Sequence, residues 1–467
     1  MLIQCPAQIS IEDWEKTPPR VREYLAQQQA ALQDALERLG QNSRNSSWPP
    51  SSDRPEQEKT TQSQPSQRKR GGQPGHPRSE RRLKPVEEVN EVVPVKPEQC
   101  HHCRAKLQGA DPQPYRHQVT EIPPLEPHVT EYQLHTLTCD QCGKQTRAEL
   151  PVGVPRRAFG PRLQSIVSLA SGVYHLSRRQ VETMLTDFFK VDLALGSVKN
   201  LENETAQALA EPVEAAKAYV KEQSQANIDE TRWPQGQAKG WLWVVVTNLV
   251  VVFAIRLSRA GQVAQELLGE NFKGIVNSDR HSAYNWLALP RRQLCWAHLI
   301  RKFQAFVDYG PSSALIGQAL LTETELMFAW WYKLRQGEIN RTQFQEIMKP
   351  IRTEISRLLR AGVAGEHQKM AGSCAHLLKL EPALWTFVDV EGIEPTNNEA
   401  EREIRTGVIW RKTSFGTQSE TGSLFVERML TVSATLKRQN RNILDYLTEV
   451  CTARLHNRPA PSLLPQN

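Results

Sequence analysis

The sequence predicts a multidomain α/β protein in which a mixed sheet is flanked by long helical regions. Strand and helix signals alternate over residues 226–310, whereas residues 155–225 and 311–392 show only helical periodicity. Upstream of these regions stand two Cys-x-x-Cys pairs. A length of 467 residues leaves room for several domains.

The first forty residues form an N-terminal helical segment in this prediction. Apolar residues recur at three- and four-residue spacing over 21–40, which fits a short coiled coil or a lone amphipathic helix. Residues 1–20 contain acidic side chains and no long apolar core, so we expect no signal peptide. The most apolar stretch, 241–257, is interrupted at Thr247 and Asn248 and is too short for a membrane helix.

Residues 41–85 are a basic linker rich in Ser, Gln, Pro and Arg. They hold ten Lys or Arg and four Asp or Glu, a net +6 of the formal +7 of the whole chain. Such a composition cannot bury enough apolar surface to order itself, so we expect disorder until a partner binds. The charge favours DNA as that partner, with Arg68, Lys69 and Arg70 as candidate contacts. The alternative is a solubilising linker.

The cysteine pairs predict a zinc ribbon over residues 86–150. Cys100 and Cys103 are separated by 35 residues from Cys139 and Cys142. Two such knuckles give a tetrahedral four-cysteine site for one structural Zn²⁺. Alternating residues at 129–137 suit a strand between them. His101 and His102 could substitute as ligands, but their position inside the knuckle favours exposure.

The helical region 155–225 carries a pattern typical of a helix-turn-helix. Ser177 and Ser197 are both suitable N-caps for two short helices joined by a turn. The second helix would then turn Ser197, Lys199 and Asn200 towards a major groove. Many helical domains without DNA affinity contain the same pattern.

Residues 226–310 predict the mixed sheet. We expect strands near 226–230, 241–247, 250–257, 273–278 and 291–296, and helices at 261–269, 281–287 and 297–309. In a meander followed by helix-connected strands, Asp229 on the first strand and Asp279 after the fourth become neighbours. Residues 393–453 are helical again and contain Glu401, and residues 454–467 form a Pro-rich, loose tail.

Asp229, Asp279 and Glu401 are the candidate catalytic residues. Carboxylates at two strand ends and on one helix can hold two divalent cations, which stabilise attacking and leaving oxygens in phosphodiester chemistry. Mg²⁺ prefers such oxygen ligands and keeps several waters. No Gly-x-x-x-x-Gly-Lys-Ser/Thr loop is present, so ATP hydrolysis is not indicated.

Helical geometry favours Glu401 over its neighbours as the third carboxylate. Ala400, Ile404 and Val408 recur every four residues and mark a buried stripe, with Glu401 at its edge and Glu399 and Glu403 farther round. The alternative is that Glu401 closes a capping box with Asn398.

These motifs occur in a fixed order along the chain: residues 42–53, 71–76, the two cysteine pairs, 229–231, 278–284, 295–298 with 301–303, and 397–402 followed by Arg411 and Lys412. In that order they resemble the transposases of insertion-sequence-66 elements, within the DDE class, over nearly the whole chain. The family usually has Asp before the paired asparagines, where this chain has Thr396.

The resemblance implies an RNase H-like core, 226–310 and 393–453, split by the helical insertion 311–392. It implies Asp229, Asp279 and Glu401 as ligands of two Mg²⁺ or Mn²⁺ ions. Cys295 and His298 could be half a metal site, but a structural role beside the catalytic sheet is favoured. Arg402, Arg405, Arg411 and Lys412 follow as further candidate DNA contacts.

The function implied is nicking of element ends and transfer of the freed 3′-OH strands to target DNA. The partners would be terminal and target DNA, further copies of the chain and companion proteins of the element, in a bacterial cytoplasm at the nucleoid and not at a membrane. Two alternatives share these features: a nuclease that only hydrolyses, and a non-catalytic DNA-binding regulator derived from a transposase.

Overall fold

The computed structural model describes residues 10–46 and 82–465. Most of the predicted linker, including Arg68, Lys69 and Arg70, lies outside these residues. The chain divides into two units, Met1–Arg54 with His128–Asn467, and Pro55–Pro127. Within the described residues, no helix combines the length and apolarity that a membrane crossing needs.

The N-terminal segment forms two helices, α1 (Ile11–Lys16) and α2 (Pro19–Leu39). The Ser10 hydroxyl caps α1 by accepting a hydrogen bond from the Asp13 amide at 3.2 Å. The helix predicted over 21–40 is therefore confirmed.

Little regular structure surrounds the cysteine pairs. In the described part of the smaller unit, residues 86–88 form one 3₁₀ turn and Gln99 pairs with Lys106 through an isolated bridge. In the larger unit, β1 (Thr136–Thr138) and β2 (Gln145–Arg147) form a short antiparallel hairpin. The strand predicted over 129–137 is wrong except at its end, because residues 129–135 are mostly exposed and pair with no described strand.

Four helices lie between the β1–β2 hairpin and the main sheet: α3 (Pro161–Gly172), α4 (Arg178–Phe189), α5 (Leu195–Ala208) and α6 (Ala210–Lys221). The first three enclose a small core of Val167, Ala170, Val181, Leu185, Leu193, Val198 and Leu201. Ser177 caps α4, as predicted, and it forms a capping box with Gln180. The N-cap prediction for Ser197 is wrong. The Ser197 amide already donates to the Ala194 carbonyl at 2.8 Å, so α5 begins two residues earlier.

The five strands of the main sheet are β3 (Gln225–Arg232), β4 (Trp241–Val246), β5 (Val251–Arg256), β6 (Ile275–Ser278) and β7 (Arg292–Leu294), in the order β5-β4-β3-β6-β7. The first three form an antiparallel meander, whereas β6 runs parallel to β3 and β7 parallel to β6. The five predicted strands are confirmed. α7 (Gly261–Leu268) is present, but the helix predicted over 281–287 is wrong, since the chain makes only a 3₁₀ turn at residues 282–284 around the buried Tyr284.

A helical insertion with its own core follows β7 and begins at Trp296 rather than at the predicted residue 311, because the first helix packs in that core. It contains α8 (Trp296–Asp308), α9 (Pro311–Arg335), α10 (Arg341–Val363), α11 (Gln368–Lys379) and α12 (Thr386–Asp389). Aromatic contacts hold it together: Trp296 packs on Trp385 with ring centroids 5.1 Å apart, and Trp331 meets Phe387 edge-on at 5.4 Å.

Three helices complete the larger unit: α13 (Asn398–Ser414), α14 (Glu420–Arg438) and α15 (Ile443–Leu455). α14 covers the edge strand β5. Its Glu427, Thr431 and Thr435 side chains accept hydrogen bonds of 2.8–3.0 Å from the amides of Ile255, Phe253 and Val251. An edge strand normally exposes such amides. Here buried side chains satisfy them, so the sheet ends at β5.

The segment after α15 packs against the larger unit. Leu463 is fully buried, and its carbonyl accepts a hydrogen bond from Gln439 Nε2 at 3.0 Å. The Tyr446 hydroxyl donates to the Pro461 carbonyl at 2.9 Å. The prediction of a loose tail over 454–467 is therefore wrong for the residues described, because Leu463 anchors the Pro-rich stretch by its burial.

Candidate active site

Asp229 and Asp279 lie at the same edge of the sheet. Asn227 on β3 is the register partner of Asn277 on β6, and each aspartate follows two residues later along parallel chains. Burial raises the pKa of Asp229 well above its usual value, and the charges of Glu230, Asp279 and Glu401 raise it further. The predicted adjacency of the two aspartates is therefore confirmed, and Glu401 is close enough to act on Asp229 electrostatically.

Glu230 is a buried carboxylate that sequence reasoning did not single out. Its Oε1 accepts a 2.7 Å hydrogen bond from Arg259 Nε, and its Oε2 accepts one from the Tyr284 hydroxyl. Burial, followed by the charge of Asp279, raises the pKa of Glu230 to about 7, although Tyr284 and Arg259 oppose the shift. This network ties the end of β3 to the segment that follows Asp279. Arg259 and Tyr284 are separated from Glu230 by 29 and 54 residues in the sequence. No local sequence pattern therefore predicts this network.

Glu401 lies in the first turn of α13, and its contacts come from the start of α8. Its Oε1 lies 3.9 Å from Cys295 Sγ, 3.4 Å from His298 Nδ1 and 3.7 Å from an Arg301 nitrogen. α13 has Asn397 at its N-cap position and no side-chain cap. The capping box between Asn398 and Glu401 is thus absent among the described residues.

The two neighbouring glutamates face another way. Glu399 and Glu403 both bind Arg438 of α14, and Glu403 Oε1 lies 3.1 Å from its Nε. Because Arg438 holds both carboxylates on the far side of α13, Glu401 is the glutamate of this turn that faces Cys295 and His298.

Cys295 and His298 form a compact group with Glu401. One ligand atom of each residue lies within 4.8 Å of the ligand atoms of the other two. Burial, and then the charge of Glu401, raise the pKa of Cys295 to about 12, so its sulfur is a thiol in the metal-free arrangement. Burial lowers the pKa of His298. The sequence alone suggested only Cys295 and His298 as a pair. The structure shows that Glu401 is the third residue of this group.

The side chains predicted to contact DNA differ in their exposure and in the protein contacts that they already make. On α5, Asn200 is exposed, whereas Ser197 and Lys199 are partly buried; burial and then Arg178 lower the pKa of Lys199. On α13, Arg405 and Lys412 are exposed. Arg402 pairs with Glu399 at 3.1 Å, and Arg411 donates to the Thr231 hydroxyl at 3.1 Å and to the Arg232 carbonyl. Arg411 is therefore held by β3.

Both cysteine pairs adopt the same turn. The Cys100 amide donates to the Ala105 carbonyl and the Cys139 amide to the Lys144 carbonyl, each at 2.9 Å. Backbone amides within each turn lower the pKa of Cys100 and of Cys139, which favours thiolates. The pairs belong to different units, so the four-cysteine site stays a prediction.

Comparison with known proteins identifies the family of this chain. Residues 156–424, more than half of the chain, match the model of the "Transposase IS66 family", and this chain belongs to that family. Residues 6–82 match a second family, of unknown function.

A relative from Sinorhizobium fredii (strain NBRC 101917 / NGR234), "Uncharacterized protein y4qI", is 29% identical over 280 residues. The match covers 53% of this chain and 51% of that protein, so the chain spans about half the length of this curated relative.

Proposed function

We propose that this protein is a DNA transposase that nicks the ends of its element and joins the freed 3′-OH strands to target DNA. One observation carries the proposal: within the family-matching region, β3, the end of β6 and the first turn of α13 bring Asp229, Asp279 and Glu401 to one edge of the sheet. We infer that the strand order, a meander followed by two parallel strands, is the RNase H-like core that the sequence resemblance implies.

The carboxylates suit divalent cations of the Mg²⁺ or Mn²⁺ type. Burial, and then like charges, raise the pKa of Asp229, so ionisation of the group is unfavourable without a nearby cation. Asp229, Asp279 and Glu401 would hold the ions, and Cys295 and His298 would remain outside that oxygen-ligand set. Bound divalent ions polarise the phosphodiester and stabilise charge on the attacking and leaving oxygens.

The chain's own residues supply the geometry. The Glu230–Arg259–Tyr284 network fixes the strand end beside Asp229. Asp279 accepts a 2.8 Å hydrogen bond from the His281 amide, which orients its carboxylate. Asn200, Arg405 and Lys412 are exposed and could contact DNA phosphates, while the linker with Arg68, Lys69 and Arg70 would add non-specific affinity. We expect more than one copy of the chain to act on paired ends, with companion proteins of the element.

Incubation of the purified chain with labelled element-end DNA and Mg²⁺ tests the proposal. We expect nicked ends and products joined to target DNA, and neither product after chelation of divalent ions. Nicking without joining would identify a hydrolytic nuclease instead, and DNA binding with neither product would identify a non-catalytic regulator.

We also propose that Cys100, Cys103, Cys139 and Cys142 bind one structural Zn²⁺. A zinc site of this kind supplies about 10–16 kcal/mol of folding free energy in small peptides. Cys103→Ser should therefore release one zinc per chain and make residues 86–150 protease-sensitive, while the sheet stays folded. Metal analysis and limited proteolysis measure both effects, with Cys374→Ser, a buried cysteine of the insertion, as control. Wild-type protein that contains no zinc while its thiols are reduced would contradict the ribbon.

A further inference from the structure

Cys295 stands where three segments of the candidate active site meet. Its amide donates to the Ser278 carbonyl at 2.9 Å, at the end of β6 and next to Asp279. Its Sγ accepts a 3.1 Å hydrogen bond from the Asn397 amide at the start of α13. The same Sγ lies 3.9 Å from Glu401 Oε1, with the thiol as donor. One buried residue thus joins the backbone that carries Asp279 to the side chain of Glu401.

Asn397 makes the corresponding link to the first aspartate. It is fully buried, and its Nδ2 donates to the Ile228 carbonyl at 2.8 Å, one residue before Asp229. Its amide is the group that binds Cys295. The contacts of Cys295 and Asn397 therefore connect all three carboxylate-bearing segments through buried hydrogen bonds.

The contacts of Glu401 are one-sided. Among the described residues, the contacts of its carboxylate all go to Oε1: the Cys295 thiol donates to it, an Arg301 nitrogen pairs with it at 3.7 Å, and His298 Nδ1 lies 3.4 Å away. His298 Nδ1 is buried and has no partner of hydrogen-bond geometry in the described part of the chain. Three groups from one helix face thus define where one carboxylate oxygen lies.

We propose that Cys295 is a positioning residue: its thiol and the adjoining Asn397 contact fix Glu401 relative to Asp229 and Asp279. The inference rests on the proposed function, because it assigns Cys295 a task at that same metal site. Substitution of residues that orient metal ligands in this way typically lowers metal affinity or activity about 10–100-fold. Serine keeps a hydroxyl donor of similar size, whereas alanine removes the donor and leaves a small void.

Direct titration of the full-length, zinc-loaded chain with Mn²⁺, following free Mn²⁺ by electron paramagnetic resonance, tests the inference. We expect Cys295→Ala to weaken Mn²⁺ binding about 10–100-fold and Cys295→Ser to recover most of the loss. At saturating DNA, the alanine variant should nick more slowly with unchanged DNA affinity. The matched control is Cys451→Ala, which removes a buried thiol on α15 and should leave the Mn²⁺ affinity unchanged.

Each outcome has one meaning. Wild-type Mn²⁺ affinity in Cys295→Ala, while Asp229→Asn and Glu401→Gln bind weakly, would overturn the positioning role and leave the proposed function standing. Wild-type affinity in Asp229→Asn and Glu401→Gln would instead overturn the metal site on which the inference rests. A zinc content that falls by one ion in both Cys295→Ala and Cys295→Ser would show that the sulfur is a metal ligand, and this too would overturn the positioning role.

Discussion

Replacing Asp229 with asparagine should abolish both nicking and strand joining while the protein still binds DNA. The amide keeps the shape of the side chain but loses the charge that a divalent ion needs. Metal ions contribute several kcal/mol of transition-state stabilisation, and each 1.36 kcal/mol is tenfold in rate, so we expect a loss of about a thousandfold or more. Asp279→Asn should behave in the same way.

The stability of the fold should not fall with activity in Asp229→Asn. Because the pKa of Asp229 is raised in the folded state, its ionised form destabilises the fold at neutral pH, and the neutral amide removes that cost. The melting temperature of Asp229→Asn without divalent ions should therefore equal or exceed that of the wild type. Asp389→Asn, at an exposed position in the insertion, is the control. Undiminished nicking by either active-site variant would refute the assignment of the carboxylates.

Glu401→Gln should lose strand cleavage by orders of magnitude, whereas Glu399→Gln should not. The Glu401 carboxylate lies with Cys295 and His298 and acts on Asp229. Glu399 instead pairs with Arg438 and Arg402 on the other side of α13. Cleavage rate and melting temperature, measured side by side for the two variants, separate a metal ligand from a structural ion pair.

Glu399→Gln should change mainly the stability of the protein, whereas Glu401→Gln should change mainly its cleavage rate. Loss of the partly exposed Glu399 pair should cost about 1 kcal/mol of stability or less. Loss of Glu401 should leave the fold nearly unchanged. Equal cleavage by both variants would mean that the third carboxylate lies elsewhere.

The sheet was predictable because its strands carry strong local signals. Val- and Trp-rich runs form β4 and β5, and the parallel pairing of β3 with β6 follows from the helix-containing connection between them. The adjacency of Asp229 and Asp279 is a consequence of that pairing. The prediction failed at 281–287, where the burial of Tyr284 against Glu230 outweighs helical periodicity.

The remaining features depend on contacts between residues distant in sequence. The hydrogen bond from Asn397 to Cys295 spans 102 positions, and the one from Asn397 to Ile228 spans 169. Both residues lie in motifs that the sequence alone singled out, but neither motif reveals that the two residues contact each other. Similarly, Leu463 anchors the C-terminal segment only because α14 and α15 leave room for it.

The insertion leaves the sheet at Cys295 and returns at Asn397, where its ends touch: the Trp296 amide donates to the Pro395 carbonyl at 2.9 Å. Closing a flexible loop of about a hundred residues costs roughly 4 kcal/mol of chain entropy. The buried contacts of the insertion's own core offset that cost and hold the two ends together. During synthesis from the N-terminus, Asp229 and Asp279 are made long before Glu401 can join them. If the protein acts as proposed, cleavage would begin only once the insertion has folded.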